Sequence, residues 1–231
     1  INQIEDLIAQ GVDGIALAPT DPNALAPVVD SAIAQGIPVV FVDTRGTNEG
    51  VSFIGTNNQV GAALAAQYMC DNLEAGSDVA ILQGLISQST GQQRAQGAHD
   101  GLTECGLNIV AEQPANWDRA MGLSVAETIL AGNPNIKGIF ASNDNMALGA
   151  VEALKQAAML ESVMVVGFDA NPDAANSIIA GEMTASIAQA PDNMGRFGIE
   201  SLIALNNGET IEEWVDTGTV LVDASNAADY Q

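Results

Sequence analysis

Apolar residues in this chain come in short, nearly unbroken runs. Each run is followed by a polar cluster and then by a stretch with helical spacing. The runs are GIALAP (14–19), IPVVFVD (37–43), VSFIGT (51–56), DVAILQG (78–84), LNIVAEQ (107–113), IKGIFAS (136–142), VMVVGFD (163–169), TASIAQ (184–189) and TVLVD (219–223). Val- and Ile-rich runs without polar alternation fit a parallel sheet covered on both faces. Helical patterns lie between them, among them residues 23–36, 58–76, 144–160 and 193–208. Cap signals agree: TDPN opens the first of these, and Gly36 stands at its far end. Repeated strand–helix units predict an α/β fold with doubly wound sheets. The chain opens inside an amphipathic helix that feeds a strand. A leading strand, helix and strand are therefore expected ahead of it, with a signal segment.

Composition narrows the function classes. The chain has 231 residues, enough for one large domain or two medium lobes. No apolar run approaches the ~18 residues that span a bilayer. With 29 acidic against six basic residues, the net charge of -23 repels phosphate backbones and argues against a nucleic-acid partner. The acids read as a solvated surface, or as adaptation to a salty habitat. His99 is the only histidine and no Cys-x-x-Cys is present, so the usual His and Cys metal spacings are missing and no metal is expected. No phosphate-loop signature appears either, and no cofactor is expected.

The polar residues that follow the apolar runs share one predicted location, the C-terminal edge of a parallel sheet. That edge is where open α/β sheets bind small molecules. The runs deliver Asp43 with Thr44 and Arg45, then Thr56 with Asn57 and Asn58, then a loop ending at Arg94. Later runs deliver Asn143 with Asp144, then Asp169, then Gln189. Each alone is also a good cap or turn residue. Two carboxylates and an arginine suit vicinal hydroxyls, because Asp accepts from them and Arg donates to them. Trp117 and Phe168 are candidates to stack on the apolar face of a sugar ring, or else to pack a core. Asp43 and Asp169 are the only pair suggestive of glycoside hydrolysis. No nucleophile elbow or Cys/His pair supports any other chemistry, so a binding protein is expected and not an enzyme.

The segments FASNDNMALGAVEAL, VMVVGFDANPDA, TASIAQAPDNMGRFGIE and FIGTNNQVGAALA resemble the type I periplasmic sugar-binding proteins, nearest the ribose-binding group of ABC transporters. The resemblance runs from residue 1 to about residue 223. It implies two Rossmann-like lobes joined by a three-strand hinge, closing on a ligand in the cleft. The N-terminal lobe would hold 1–56 and 190–217, and the C-terminal lobe 57–189 and 218–231. Carried over by position, it implies ligand contacts from Asp43, Arg94, Trp117, Asn143, Phe168, Asp169 and Gln189. Arg45 and Thr56 are further candidates, and Asp144 reads as the helix cap. Two positions depart from the ribose pattern: Thr44 separates Asp43 from Arg45, and Ala18 stands where an asparagine precedes Pro-Thr-Asp. The ligand is therefore left open among sugars and polyols.

The function implied is an extracytoplasmic, periplasmic receptor that acts as a monomer and hands a sugar or polyol to a membrane ABC permease. The same scaffold also serves as the effector domain of LacI-type repressors and as a chemotaxis or quorum-signal receptor, and these stand as alternatives. Cys70 and Cys105 lie in helices on either side of the strand at 78–84. They form either a disulfide, in an oxidising compartment, or two buried thiols.

Overall fold

The computed structural model describes all 231 residues. The chain begins α1 (Asn2–Gln10), β1 (Ile15–Leu17), α2 (Pro22–Ala34), β2 (Val39–Val42), β3 (Phe53–Gly55) and α3 (Asn58–Asn72). It continues β4 (Asp78–Gln83), α4 (Ser89–Glu104), β5 (Asn108–Pro114), α5 (Arg119–Gly132), β6 (Gly138–Ala141) and α6 (Asp144–Gln156). It ends β7 (Met164–Asp169), α7 (Pro172–Ile179), β8 (Ala185–Ala188), α8 (Pro191–Asn206), β9 (Trp214–Asp216) and β10 (Val220–Asp223).

These elements form two compact units. The first holds 1–57, 87–90 and 190–218, and the second holds 58–86, 91–189 and 219–231. The expected boundaries differ from these by one residue at two of the crossings. The four residues 87–90 were expected in the second lobe and belong to the first unit.

The first unit is a four-stranded parallel sheet in the order β1-β2-β3-β9. Helices cover both faces: one core gathers Ile4, Val28, Val29, Phe41 and Phe53, and the other Val40, Ile54 and Leu202. β9 was not foreseen. Its three residues carry too little periodicity to announce a strand, and its ladder to β3 creates it. α2 starts as its sequence predicts: Asp21 accepts from the amides of Asn23 and Ala24, with Pro22 in the first turn. Gly36, at φ 82°, takes the left-handed turn beyond it.

The second unit is a six-stranded sheet in the order β10-β8-β7-β6-β4-β5, parallel except for the edge strand β10. Its two faces carry separate cores. Ile139, Met146, Leu154 and Val165 belong to one, and Met69, Ile81, Phe140 and Phe168 to the other. From β4 the chain goes outward to β5 and then returns to lay β6 on β4's other side. The strand order therefore reverses between β4 and β6, which opens a crevice at their carboxyl ends. Cys70 of α3 and Cys105, just beyond α4, are joined by a disulfide with Cα atoms 6.1 Å apart.

Candidate ligand-binding site

The reversal point of the second unit gathers most of the predicted residues. Arg94 projects from α4 and is almost wholly buried, at 4 % exposure. Its Nε donates to Asn58 Oδ1 at 2.8 Å, and its Nη1 donates to the Ser142 carbonyl at 2.8 Å and to Asp169 Oδ1 at 3.0 Å. The same Asp169 oxygen accepts from Gln189 Nε2 at 2.6 Å. The register of β7 on β8 sets Asp169 beside Ala188, which brings Gln189 to it. The side chain of Asp169 is 33 % exposed, so a polar, partly open carboxylate sits over a locked guanidinium.

Aromatic rings hold that guanidinium in place. Its carbon lies 3.8 Å from the centroid of Phe168 and 5.6 Å from that of Trp117. Phe168 is fully buried, and its ring is a platform for Arg94. Trp117 is half-buried and lies over Gly84 so closely that a Cβ there would come 2.0 Å from the indole. Gly84 thus admits the ring at the end of β4.

Asn143 caps α6. Its Oδ1 accepts from the Met146 amide at 2.9 Å, so Asn143, and not Asp144, is the cap of α6. Its Nδ2 also donates to the Trp117 carbonyl at 3.4 Å, which ties the β5 loop to the site. Asp144 was expected as the cap but is a wholly buried carboxyl. Its oxygens accept from Ser186 Oγ at 2.6 Å and from the Asn171 amide at 2.8 Å. Burial first, and then the nearby Asp169, push this carboxyl up to about 8; the bonds from Ser186 and Asn171, and Arg94, pull partly back.

In the first unit, Asp43 follows β2 and accepts from Thr44 Oγ1 at 3.1 Å. Arg45 turns to Glu213, with Nη2 2.6 Å from the carboxylate, so its charge is already engaged. Thr56 is fully buried at the end of β3.

Backbone strain marks the same places. The non-glycine residues with positive φ are Asp43, Asn116, Trp117, Ala158, Asp169 and Ala170. All but Ala158 stand at or just after the carboxyl ends of β2, β5 and β7. Such conformations persist where surrounding structure over-determines them, and they cluster at binding sites. Asn58 was not among the predicted ligand residues, although the polar cluster after β3 had singled it out. Its role is to lock the Nε of Arg94.

Known proteins share this architecture. Residues 1–210 match the model of the periplasmic binding protein domain. The chain is 37% identical over 216 residues to the ribose import binding protein of Bacillus subtilis, covering 93% of this chain and 70% of that protein. It is 35% identical to the D-allose-binding periplasmic protein of Escherichia coli, covering 90% and 70%. An ABC transporter periplasmic solute binding protein from Actinobacillus succinogenes, solved with bound D-allose, superposes with a TM-score of 0.93 at 34% identity, covering 99% of this chain and 83% of that one. A solute binding protein from Bacillus halodurans with bound myo-inositol gives 0.91 at 27% identity, covering 99% and 80%. With its two α/β units, its polar cluster at a strand reversal and a domain match over most of its length, this chain belongs to the periplasmic binding protein family.

Proposed function

We propose that this protein captures a monosaccharide or cyclic polyol and presents it to a membrane ABC importer. The observation that carries the reading is the Arg94–Asp169–Gln189 cluster at the strand reversal. It holds a donor fork and a carboxylate at fixed spacing, the complement of adjacent hydroxyls. Asn143 and Trp117 border it, the first as a polar contact and the second as a stacking surface for a ring. Asp43, in its strained turn after β2, is proposed as a further ligand group. Phe168 acts through Arg94. The named relatives bind ribose, D-allose and myo-inositol, which are neutral polyhydroxylated rings. They are named as binding proteins, which accords with capture and release rather than catalysis. The Cys70–Cys105 bridge supports an oxidising, extracytoplasmic home. We infer that the receptor works as a monomer.

A thermal-shift panel of D-ribose, D-allose, D-arabinose, D-fucose and myo-inositol tests the reading. A ligand at a thousandfold excess over Kd stabilises by about 4 kcal/mol. One or more members should raise Tm. A panel without any shift at millimolar concentration would refute sugar capture, and an unchanged Kd in Asp43→Ala would remove Asp43 from the site.

A further inference from the structure

We propose that Asp144 is a positioning residue for ligand binding, setting the turn after β7 that aims Asp169 at Arg94 and Gln189. The inference rests on the reading of Asp169 as a ligand group. That turn is unfavourable by itself: Asp169 has φ 110° and Ala170 φ 50°, two consecutive left-handed positions without a glycine. Something must hold it, and the bonds converge on Asp144. The Ala170 amide donates to Ser186 Oγ at 3.0 Å, and Ser186 donates on to Asp144 Oδ1 at 2.6 Å. The next amide, Asn171, donates to Asp144 Oδ2 at 2.8 Å.

The two amides after Asp169 therefore end on one carboxyl, one directly and one through a serine. Asp144 is 0 % exposed, so water is not at hand to replace it. β7 comes close on the other side of the turn as well: a Cβ on Gly167 would stand 2.3 Å from Asp144 Oδ1. The glycine lets the strand press against the carboxyl that fixes its own continuation. Asp144 thus has a grip on the chain before and after Asp169 while lying behind the ligand surface. The charged groups that act on it are Asp169, from β7, and Arg94, from α4.

Two measurements test this together. The first titrates the panel sugar with the largest thermal shift into wild type, Asp144→Ala, Asp144→Asn, Asp169→Ala and the Asp144→Ala/Asp169→Ala pair. Asp144→Ala should weaken binding at least tenfold. Asp144→Asn should stay within about threefold of wild type, because its amide can donate to Ser186 Oγ while its carbonyl accepts from Asn171. The double variant should be no weaker than Asp169→Ala within about threefold, as expected of residues acting as a unit. The second measurement follows hydrogen exchange of the Ala170 and Asn171 amides without ligand. Exchange should be at least tenfold faster in Asp144→Ala and restored in Asp144→Asn.

Wild-type affinity in Asp144→Ala, fully additive losses in the double variant, an Asp144→Asn as weak as Asp144→Ala, or unchanged exchange would each overturn the proposal. Should Asp144→Ala fail to fold, Ser186→Ala removes the Ala170 anchor and the serine's bond to Asp144 while leaving the Asn171 anchor. It should weaken binding and speed Ala170 exchange, and wild-type behaviour there overturns the proposal too. An unchanged Kd in Asp169→Ala would instead sink the sugar-site reading, and the ligand-free exchange data would still judge the turn.

Discussion

Replacing Arg94 by lysine separates the guanidinium fork from its charge. The fork serves three acceptors, Asn58 Oδ1, the Ser142 carbonyl and Asp169 Oδ1, with its carbon 3.8 Å from the Phe168 ring centroid. A lysine ammonium keeps the charge and can reach Asp169, but it is a compact point donor without the planar spread to serve all three. Asn58 is 1 % exposed and Ser142 0 %, so water does not readily replace the lost donors. Leaving such acceptors unsatisfied costs about 1–3 kcal/mol each, hence about 2–6 kcal/mol of stability for the two. For binding, the loss of one charge-assisted bond to a ligand hydroxyl is worth about 1.5–3 kcal/mol, or about 10- to 150-fold in Kd. Urea unfolding measures the first effect and calorimetric titration with the responding sugar the second. Arg196→Lys is the control: Arg196 sits on the surface of α8 and pairs with Glu200 one turn along, a contact worth only about 0.3–0.5 kcal/mol. If Arg94→Lys matched that control in both midpoint and Kd, the locked-fork account of the site would be wrong.

Three further outcomes follow from the same geometry. The folded Asp144 carboxyl titrates near 8, above its ordinary 3.8, so the folded state holds its proton more tightly than the unfolded chain. The stability this group contributes is then fully present below about pH 4 and drains as pH rises towards 8, at up to about 1.4 kcal/mol per pH unit. Subtracting Asp144→Asn cancels the carboxylates common to both proteins; the stability of wild type relative to Asp144→Asn should fall between pH 5 and 8, and a flat difference would contradict the buried, protonated state. Thiol titration of the unfolded, unreduced protein should find no reactive cysteine, and removing the bridge should cost about 3–4 kcal/mol for a loop closed across 35 residues; two reactive thiols would refute the bridge. Asn143→Ala should lose about 0.5–2 kcal/mol of stability through the α6 cap, whereas Asp144→Asn should leave cap strength untouched; the reverse order would return the cap to Asp144.

Much of the site was legible because its position is a matter of chain order. A buried parallel strand is a short apolar run, and the polar residue after it lands at the sheet's carboxyl edge whatever the rest of the chain does. That places Asp43, Asn143 and Asp169 without any knowledge of packing. The roles of adjacent residues were harder to read. Asn143 and Asp144 are both good caps, and the choice between them depends on where β6 releases its last ladder bond, from the Ser142 amide to the Leu82 carbonyl at 2.9 Å. Arg45 looked available because its partner, Glu213, lies 168 residues away and no local pattern links them.

What the sequence by itself determined, then, is the order of strands and helices apart from β9, the caps of α2, and the set of polar groups delivered to one edge. These follow from local forces: propensity, apolar periodicity and turn chemistry act within a few residues. What only the tertiary structure decided is which way each side chain faces and what it meets there. VMVVGF is apolar throughout, so no alternation reveals that Val165 and Phe168 enter different cores, or that Phe168 lies wholly beneath Arg94. The burial of Asp144 comes from α6, the β7 turn and β8 closing around it together. Burial and long-range pairing are properties of the assembled sheet, because the low dielectric and the partner groups that set them exist only once distant segments have packed.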